Sequence, residues 1–420
     1  MKTSIIVLIA SSAICLAGSA SEIEEPDGAL TLRQALALAL ARSPELAVVN
    51  YDIRIAEARI LQAKLSPNPE AEITSEDLVG SGDYAGAKRS ENTLSLEQLI
   101  ELGGKRTARV REATRGRELA AFDYEAKKRE VFRKTAGHFV DVLAAQRRVA
   151  INEELVRLAN DFIPAVEKRL EAGKTSDLEK TRFDVAIASA RIDLEQARRD
   201  VVAARQRLAA QWGSTRPRFT SVSGHLESTP ATASLETLAR RLTTNPRLAR
   251  FGAELAQREA ALVREKAAAI PDVTLRAGAR QINETKDATA IVGFSLPLPL
   301  WNRNQGNVRA ARERVGRTDA EQTAAAAALM TELSDAYHNL ARARSAILIL
   351  HHTVLPGAES ALTATTEGYE AGRFSYLDVL DARRTISAAR IQHLQTMSEY
   401  HKALHVIEAL TAEARPHNLP

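Results

Sequence analysis

The 420-residue sequence predicts a mainly α-helical fold with a small β part, laid out twice along the chain. Three observations carry this. Ala, Leu, Glu, Arg and Lys dominate while aromatic residues make up 4%, a composition of long helices rather than of several compact cores. Apolar residues step by three and four over long runs: Leu329, Leu333, Ala336, Leu340, Ala343, Ile347, Leu350 and Val354 form one, and Ile187, Ala190, Leu194, Ala197, Val201, Ala204 and Leu208 another. Such runs argue coiled-coil packing. Finally, the sequence repeats itself. A shift of 202 lays SPELA at 43–47 on NPRLA at 245–249, and Pro69 on Pro271. A shift of 200 lays LSL at 94–96 on FSL at 294–296, and a shift of 199 lays EAGKTSDL at 171–178 on EAGRFSYL at 370–377. The offset drifts by three residues in chain order, which marks a duplicated domain rather than a solenoid.

The elements follow in order. Met1 and Lys2, an apolar stretch at 5–16 and the small residues Ala17-Gly18-Ser19-Ala20 read as a signal peptide over 1–20. The sole cysteine, Cys15, lies inside it; a lipoprotein wants a small residue before that Cys, and Ile14 stands there. With the signal cut, disulfides and thiolate metal sites are excluded. A first repeat at 21–212, a linker at 213–234, a second repeat at 235–413 and a tail at 414–420 complete the chain. Each repeat opens with a helix (32–65; 235–269) stopped by Pro69 or Pro271. A β-hairpin follows, with strands at 70–78 and 93–99, or at 272–280 and 289–296. A helical stretch of roughly 70 residues (103–172; 302–371) then spans ~105 Å, with Pro164 and Pro356 expected to bend it. The octapeptide glycine turns the chain into a last helix (174–212; 375–412). One long helix can lie beside two shorter ones stacked in line. That puts the hairpins at one end of a rod, the octapeptide turns at the other, and the linker near the middle.

Charge excludes some functions. The chain carries 57 basic and 53 acidic residues in no block of one sign, a mixed pattern that argues against nucleic-acid binding. No run of 18 apolar residues follows the N-terminus, so a membrane crossing has to be a β-barrel. Val273, Leu275, Ala277 and Ala279 alternate with Thr274, Arg276, Gly278 and Arg280, as a barrel wall requires. Two hairpins close no barrel alone: they either pack on a soluble domain or join strands from several chains. No GxSxG, P-loop, HExxH or strand-borne GxGxxG occurs, so the chain reads as no enzyme, with no cofactor. His401, His405 and Glu408 have a spacing that suits zinc and equally suits the surface of a terminal helix, while the adjacent His351 and His352 make a poor chelate. No metal site is assigned. Gly103-Gly104 could cradle phosphate, but more simply relieves crowding where strand meets helix.

LSLEQLIELGGKR at 94–106, FSLPLPLWNRNQG at 294–306 and YEAGRFSYLDVLD at 369–381 resemble the TolC family of outer-membrane efflux channels, in its CzcC-like branch that serves heavy-metal RND pumps. The resemblance covers the whole mature chain. It implies a homotrimer whose twelve strands form one outer-membrane β-barrel, with duplicated helical hairpins building a periplasmic α-barrel. It further implies a passive conduit for divalent heavy-metal cations, with a periplasmic adaptor (membrane fusion) protein, an inner-membrane RND transporter and outer-membrane lipid as partners. Gly173, Lys174, Ser176, Gly372, Arg373 and Ser375 match the family's adaptor-docking tips. Asp378 and Asp381 match acids that line the pore entrance, and Arg182 stands where Asp381 stands in the other repeat, an opposite charge for a closed-state gate. The i,i+3 spacing puts both acids on one helix face, where three chains would ring a mouth with six carboxylates. Two alternatives stay open: a conduit for drugs or secreted proteins, and an exported coiled-coil scaffold without a pore.

Overall fold

The structure, a computed structural model, describes residues 25–172 and 176–411. The expected signal peptide with Cys15, the tail at 414–420, and Gly173 and Lys174 of the first tip lie outside the described residues.

A short strand β1 (Ala29–Thr31) leads into α1 (Leu32–Arg42), which opens with a capping box between Thr31 and Gln34. α2 (Pro44–Ala63) follows as a separate helix. The single helix expected over 32–65 is therefore broken. Ser43 sits at ψ 123 because the ring of Pro44 disfavours helical backbone in the residue before it. The second repeat breaks at the matching place: α6 (Leu235–Arg241) and α7 (Pro246–Ala268) are separated by Asn245, at ψ 129, before Pro246. Asn245 accepts from the Arg247 N–H at 2.8 Å and donates to the Leu410 carbonyl at 2.8 Å, so the break is also a tie to the far end of the chain.

The strands are β2 (Glu70–Glu76), β3 (Glu91–Ile100), β5 (Val273–Ile282) and β6 (Asp287–Ser295); three are longer than expected, and β2 is shorter, ending before Asp77 at φ +54. They form one antiparallel sheet in the order β2-β3-β5-β6, so the two hairpins join through β3 and β5. β4 (Ser221–Ser223), from the linker, pairs in parallel with β1.

Below the sheet, α3 (Lys105–Asp161) is the axis of the rod, about 85 Å long. α2 and α7 lie along its first part, held by Arg117–Glu57 and Arg250–Asp123. α5 (Asp177–Ala209) and α10 (Tyr376–Thr411) lie along its last part, where Asn152 donates to the Asp193 carbonyl and Arg390 pairs with Glu154. α4 (Ile163–Glu171) continues α3 after a break at Phe162, two residues before Pro164. In the second repeat α8 (Gln305–Ile349) passes into α9 (Leu355–Glu370) through a π turn at Leu350–Val354 that absorbs Pro356. The extra residue of that turn shifts the heptad phase. Leu329 through Leu350 are buried as expected, but Val354 is left 36% exposed and burial resumes at Ala358.

The main core gathers at mid-rod, where Phe139, Val142 and Leu143 of α3 meet Leu30, Leu38, Leu208, Trp212, Phe219, Leu238, Leu333 and Leu410. Buried Glu25 accepts from the Trp212 indole at 3.1 Å and from the Arg218 and Phe219 backbone N–H groups at 2.6 and 3.3 Å, binding the start of the described chain to the linker.

Candidate functional site: a strand wall and a helical tip

The two ends of the rod carry different chemistry. At the sheet, the strand register decides which side chains share a face. Ala71, Ile73, Leu94, Leu96, Leu275, Ala277, Ala279, Ala290, Val292 and Phe294 fall on one face. That face is bare: Ile73 is 78%, Val292 85% and Phe294 76% exposed. Every charged residue of the four strands falls on the other: Glu70, Glu72, Glu76, Glu91, Glu97, Arg276, Arg280 and Asp287. Arg276 bridges Glu72 and Glu97, and Arg280 bridges Glu76 and Glu91 at 3.3 and 2.6 Å. Six acids against two arginines leave this face strongly negative. An apolar outer face and a polar inner one are what a β-barrel wall in lipid needs. Sequence alternation identified the apolar face of β5 and β6; the Glu–Arg–Glu bridges depend on pairing between repeats and needed the fold.

The join between wall and rod is tight. Gly103 and Gly104 lie at φ +68 and +70, and a Cβ on Gly103 would meet the Ile270 side chain at 2.6 Å. Asp272 accepts from the Leu102 N–H at 2.9 Å and pairs with Lys105 at 2.7 Å. Gly103 thus relieves crowding at this corner, whereas Gly104 has open space around it and answers only to its positive φ.

At the other end, Tyr369 and Tyr376, which flank the second octapeptide turn, pack with Phe162 and Phe183 of the first repeat. Ring centroids lie 5.4 Å apart for Phe162–Tyr369 and 4.9 Å for Phe183–Tyr376, within the range of favourable aromatic pairs. Arg383 lies 4.5 Å over the Phe162 ring and donates to the Leu158 carbonyl at 2.9 Å; Arg169 lies 4.3 Å over Tyr369 and donates to its carbonyl at 2.5 Å. Each arginine clasps the opposite repeat. Burial holds the Arg383 guanidinium below its ordinary range. Sequence reasoning missed all four aromatic residues and both arginines. The only local signal was the pair of tyrosines bracketing the turn.

Gly372 sits at φ +75 just past α9. The Arg373 N–H donates to the Gly368 carbonyl at 2.7 Å and the Gly372 N–H to the Tyr369 carbonyl at 3.0 Å, a complete Schellman closure. Ser375 then opens α10: its N–H and hydroxyl both donate to Asp378 Oδ2 at 2.8 Å. These bonds, hydroxyl first, hold the Asp378 carboxyl below its ordinary range. Asp378 is therefore a helix cap as well as a surface charge. In the first repeat the cap runs the other way: the Ser176 hydroxyl accepts from the Glu179 N–H at 3.3 Å. Asp381 and Arg182 are exposed on α10 and α5 and form no ion pair with each other within the chain. Arg373 and Phe374 are exposed at the turn.

The histidines are otherwise engaged: His401 Nε2 lies 2.9 Å from the Leu226 carbonyl and His405 Nδ1 2.9 Å from Glu408 Oε2. Among the described residues, no group of three or more His, Cys, Asp or Glu converges as a metal site, and no helix is long and apolar enough to cross a membrane.

Comparison with known proteins agrees with this geometry. The profile of the family described as "Outer membrane efflux protein" matches residues 35–214 and 238–413. The cobalt-zinc-cadmium resistance protein CzcC of Cupriavidus metallidurans is 35% identical over 386 residues, 92% of this chain and 91% of that one. The nickel-cobalt-cadmium resistance protein NccC of Alcaligenes xylosoxydans xylosoxydans is 29% identical over 72% of this chain and 68% of its own. Among solved structures, CusC superposes with a TM-score of 0.75 at 18% identity, covering 91% of this chain and 92% of that chain. VceC of Vibrio cholerae gives 0.74 at 19%, covering 90% and 96%. The chain belongs to the outer membrane efflux protein family: it is an outer-membrane channel and not an enzyme, with its strands in a membrane β-barrel and its helices in the periplasm.

Proposed function

We propose that the channel is the passive outer-membrane conduit of a tripartite pump for divalent heavy-metal cations of the cobalt, zinc and cadmium type. The observation that carries this reading is the 35% identity to a cobalt-zinc-cadmium resistance protein along nearly the full length of both chains. The acidic inner face of the strands supports it, because a pore lined by carboxylates favours cations over anions. Three copies, each giving four strands, close a barrel of twelve. A periplasmic adaptor and an inner-membrane RND transporter supply the docking and the energy. The unit repeated is 21–212 and 235–413, joined through 213–234 at the equator.

In this reading the tip residues Gly173, Lys174, Ser176, Gly372, Arg373 and Ser375 form the adaptor edge. Asp378 and Asp381 ring the periplasmic mouth, and Arg182 of an adjacent copy is the counter-charge that closes it. The test is growth in zinc, cobalt and cadmium with and without the gene, in a strain that keeps its adaptor and pump. Loss of tolerance to these cations, restored by the gene, is the expected result. Unchanged metal tolerance together with lost tolerance to an organic compound sinks the metal reading and leaves the channel.

A further inference from the structure

Two helical segments that pack together each bring a histidine to the same place. His351 and His352 stand in the π turn at Leu350–Val354, between α8 and α9, and that turn packs against α10. On α10, Leu394 joins the main core while His393, just before it, is half-buried. The His351 and His393 rings lie with centroids 6.1 Å apart and planes 25° from parallel. His352 meets the His351 ring edge-on, with centroids 4.9 Å apart. Single π turns inside helices recur at functional sites, because the extra residue turns side chains out of the packed stripe.

His393 is poorly served by protein groups. Its Nε2 is buried and makes no hydrogen bond among the described residues. A buried polar atom left in that state costs about 1–3 kcal/mol unless something else satisfies it. His401 and His405 differ, since each has a partner at 2.9 Å. Burial first, and then the neighbouring His351, holds the His393 imidazole below its ordinary range, against an opposing pull from Glu227. The ring is therefore neutral near pH 7. A neutral imidazole keeps one nitrogen with a free lone pair, the form that ligates a metal.

The spacing suits an ion shared by the two rings. In a zinc-bound histidine pair each ligating nitrogen lies about 2.0–2.1 Å from the metal, which puts the ring centroids roughly 5–6 Å apart. From 6.1 Å, a turn of the exposed His351 side chain brings both nitrogens onto one ion. The nearest cation on α10 does not oppose this: Arg390, one turn before His393, is held by Glu154 at 3.0 Å and Glu359 at 3.3 Å. We propose that His351 and His393 form a two-histidine site for a divalent transition-metal cation such as zinc, with water in the remaining positions, and that the bound ion ties the π turn to α10. The site stands on this ring geometry and is independent of what the channel exports. Two protein ligands leave open positions through which the ion exchanges, unlike a closed four-ligand structural site.

The test is zinc binding to the full chain in detergent, carrying no polyhistidine tag. Titration calorimetry counts the ions, and hydrogen exchange in a peptide covering the π turn locates the one in question. Zinc should slow exchange there in the parent chain. His351→Gln and His393→Gln should each bind one zinc fewer per chain and lose that slowing, with their helical circular dichroism unchanged. His352→Gln should keep both, because its ring points away from the shared position. Magnesium, which seeks oxygen ligands, should slow nothing at the turn. Absence of slowing in the parent overturns the site. So does slowing that survives in either His351→Gln or His393→Gln, or that magnesium reproduces. None of these outcomes bears on the exported cargo, which metal tolerance of cells tests separately.

Discussion

Replacing Gly372 by alanine isolates the turn of the second tip from everything else. A Cβ there meets nothing within 4 Å, so no clash accompanies the change. What remains is backbone strain: an L-residue held at φ +75 costs about 1–2 kcal/mol. The open turn also loses some freedom when glycine becomes alanine, which offsets about 0.4–1 kcal/mol. A net near 1 kcal/mol raises the population of the opened turn about fivefold. Hydrogen exchange reads this directly, because the Gly372, Arg373 and Phe374 N–H groups all bond back to Tyr369 or Gly368 and exchange only when the closure opens. Exchange in a peptide covering the turn should speed up about fivefold, while peptides from the mid-rod core stay unchanged. Gly357→Ala is the control. Gly357 lies inside α9 without positive φ and with open space around it, so alanine there should slow local exchange. Unchanged exchange at the turn in Gly372→Ala refutes the claim that this glycine is required by conformation. An equal rise throughout the chain refutes the claim that the turn opens on its own.

Further expectations concern charge and burial. Asp378→Asn keeps an acceptor for Ser375 while removing a charge, so Asp378→Asn with Asp381→Asn should lower cation selectivity in planar bilayers with helix α10 intact; unchanged reversal potentials would remove both acids from the pore entrance. Glu25→Ala leaves three donors without their acceptor and should destabilise the chain by about 1–3 kcal/mol in thermal melts, whereas a melt within error of the parent would show that water replaces it. Glu130 is drawn down to about 2 by hydrogen bonds from Lys127 and Lys134. Its contribution is therefore present above the unfolded value near 4.5 and is lost as pH falls toward about 2. Glu130→Gln should flatten that part of the acid unfolding profile; an unaltered profile assigns the acid sensitivity to other carboxylates.

Much of the fold was legible because its signals are local and periodic. The 3–4 steps located α5 and α8, and the duplicated octapeptide located the turn at Gly372. What the sequence hid were phase changes and contacts between repeats. The helices expected over 32–65 and 235–269 run through Pro44 and Pro246, although a proline disfavours helical backbone in the residue before it, and the extended backbone of Ser43 and Asn245 shows that two helices meet at each. The π turn inserts one residue without any glycine to announce it, so Val354 leaves the buried stripe that the 3–4 spacing predicts for it. At the tip, Asp378 was visible as an acid one turn into a helix, but its bonds to Ser375 give it a second occupation. Arg383 gave no signal at all, because a buried arginine over Phe162, 221 positions away, has no local pattern.

If the channel passes metal cations as proposed, the strand end of the rod also suggests how its acidic wall avoids trapping them. A carboxylate-lined wall attracts divalent ions, but conduction requires that they leave as readily as they enter. Arg276 and Arg280 each sit between two glutamates, so four of the six strand acids already have a fixed cationic partner. An entering ion has to compete with a guanidinium for those oxygens, which weakens binding without reversing the sign of the field. On this argument Arg276→Gln with Arg280→Gln should make the pore more cation-selective and slower for zinc, with zinc block of potassium current appearing at lower concentration. Glu72→Gln with Glu97→Gln should do the reverse. If the arginine variants instead lose selectivity, the bridges serve to hold the strands in place rather than to temper the field.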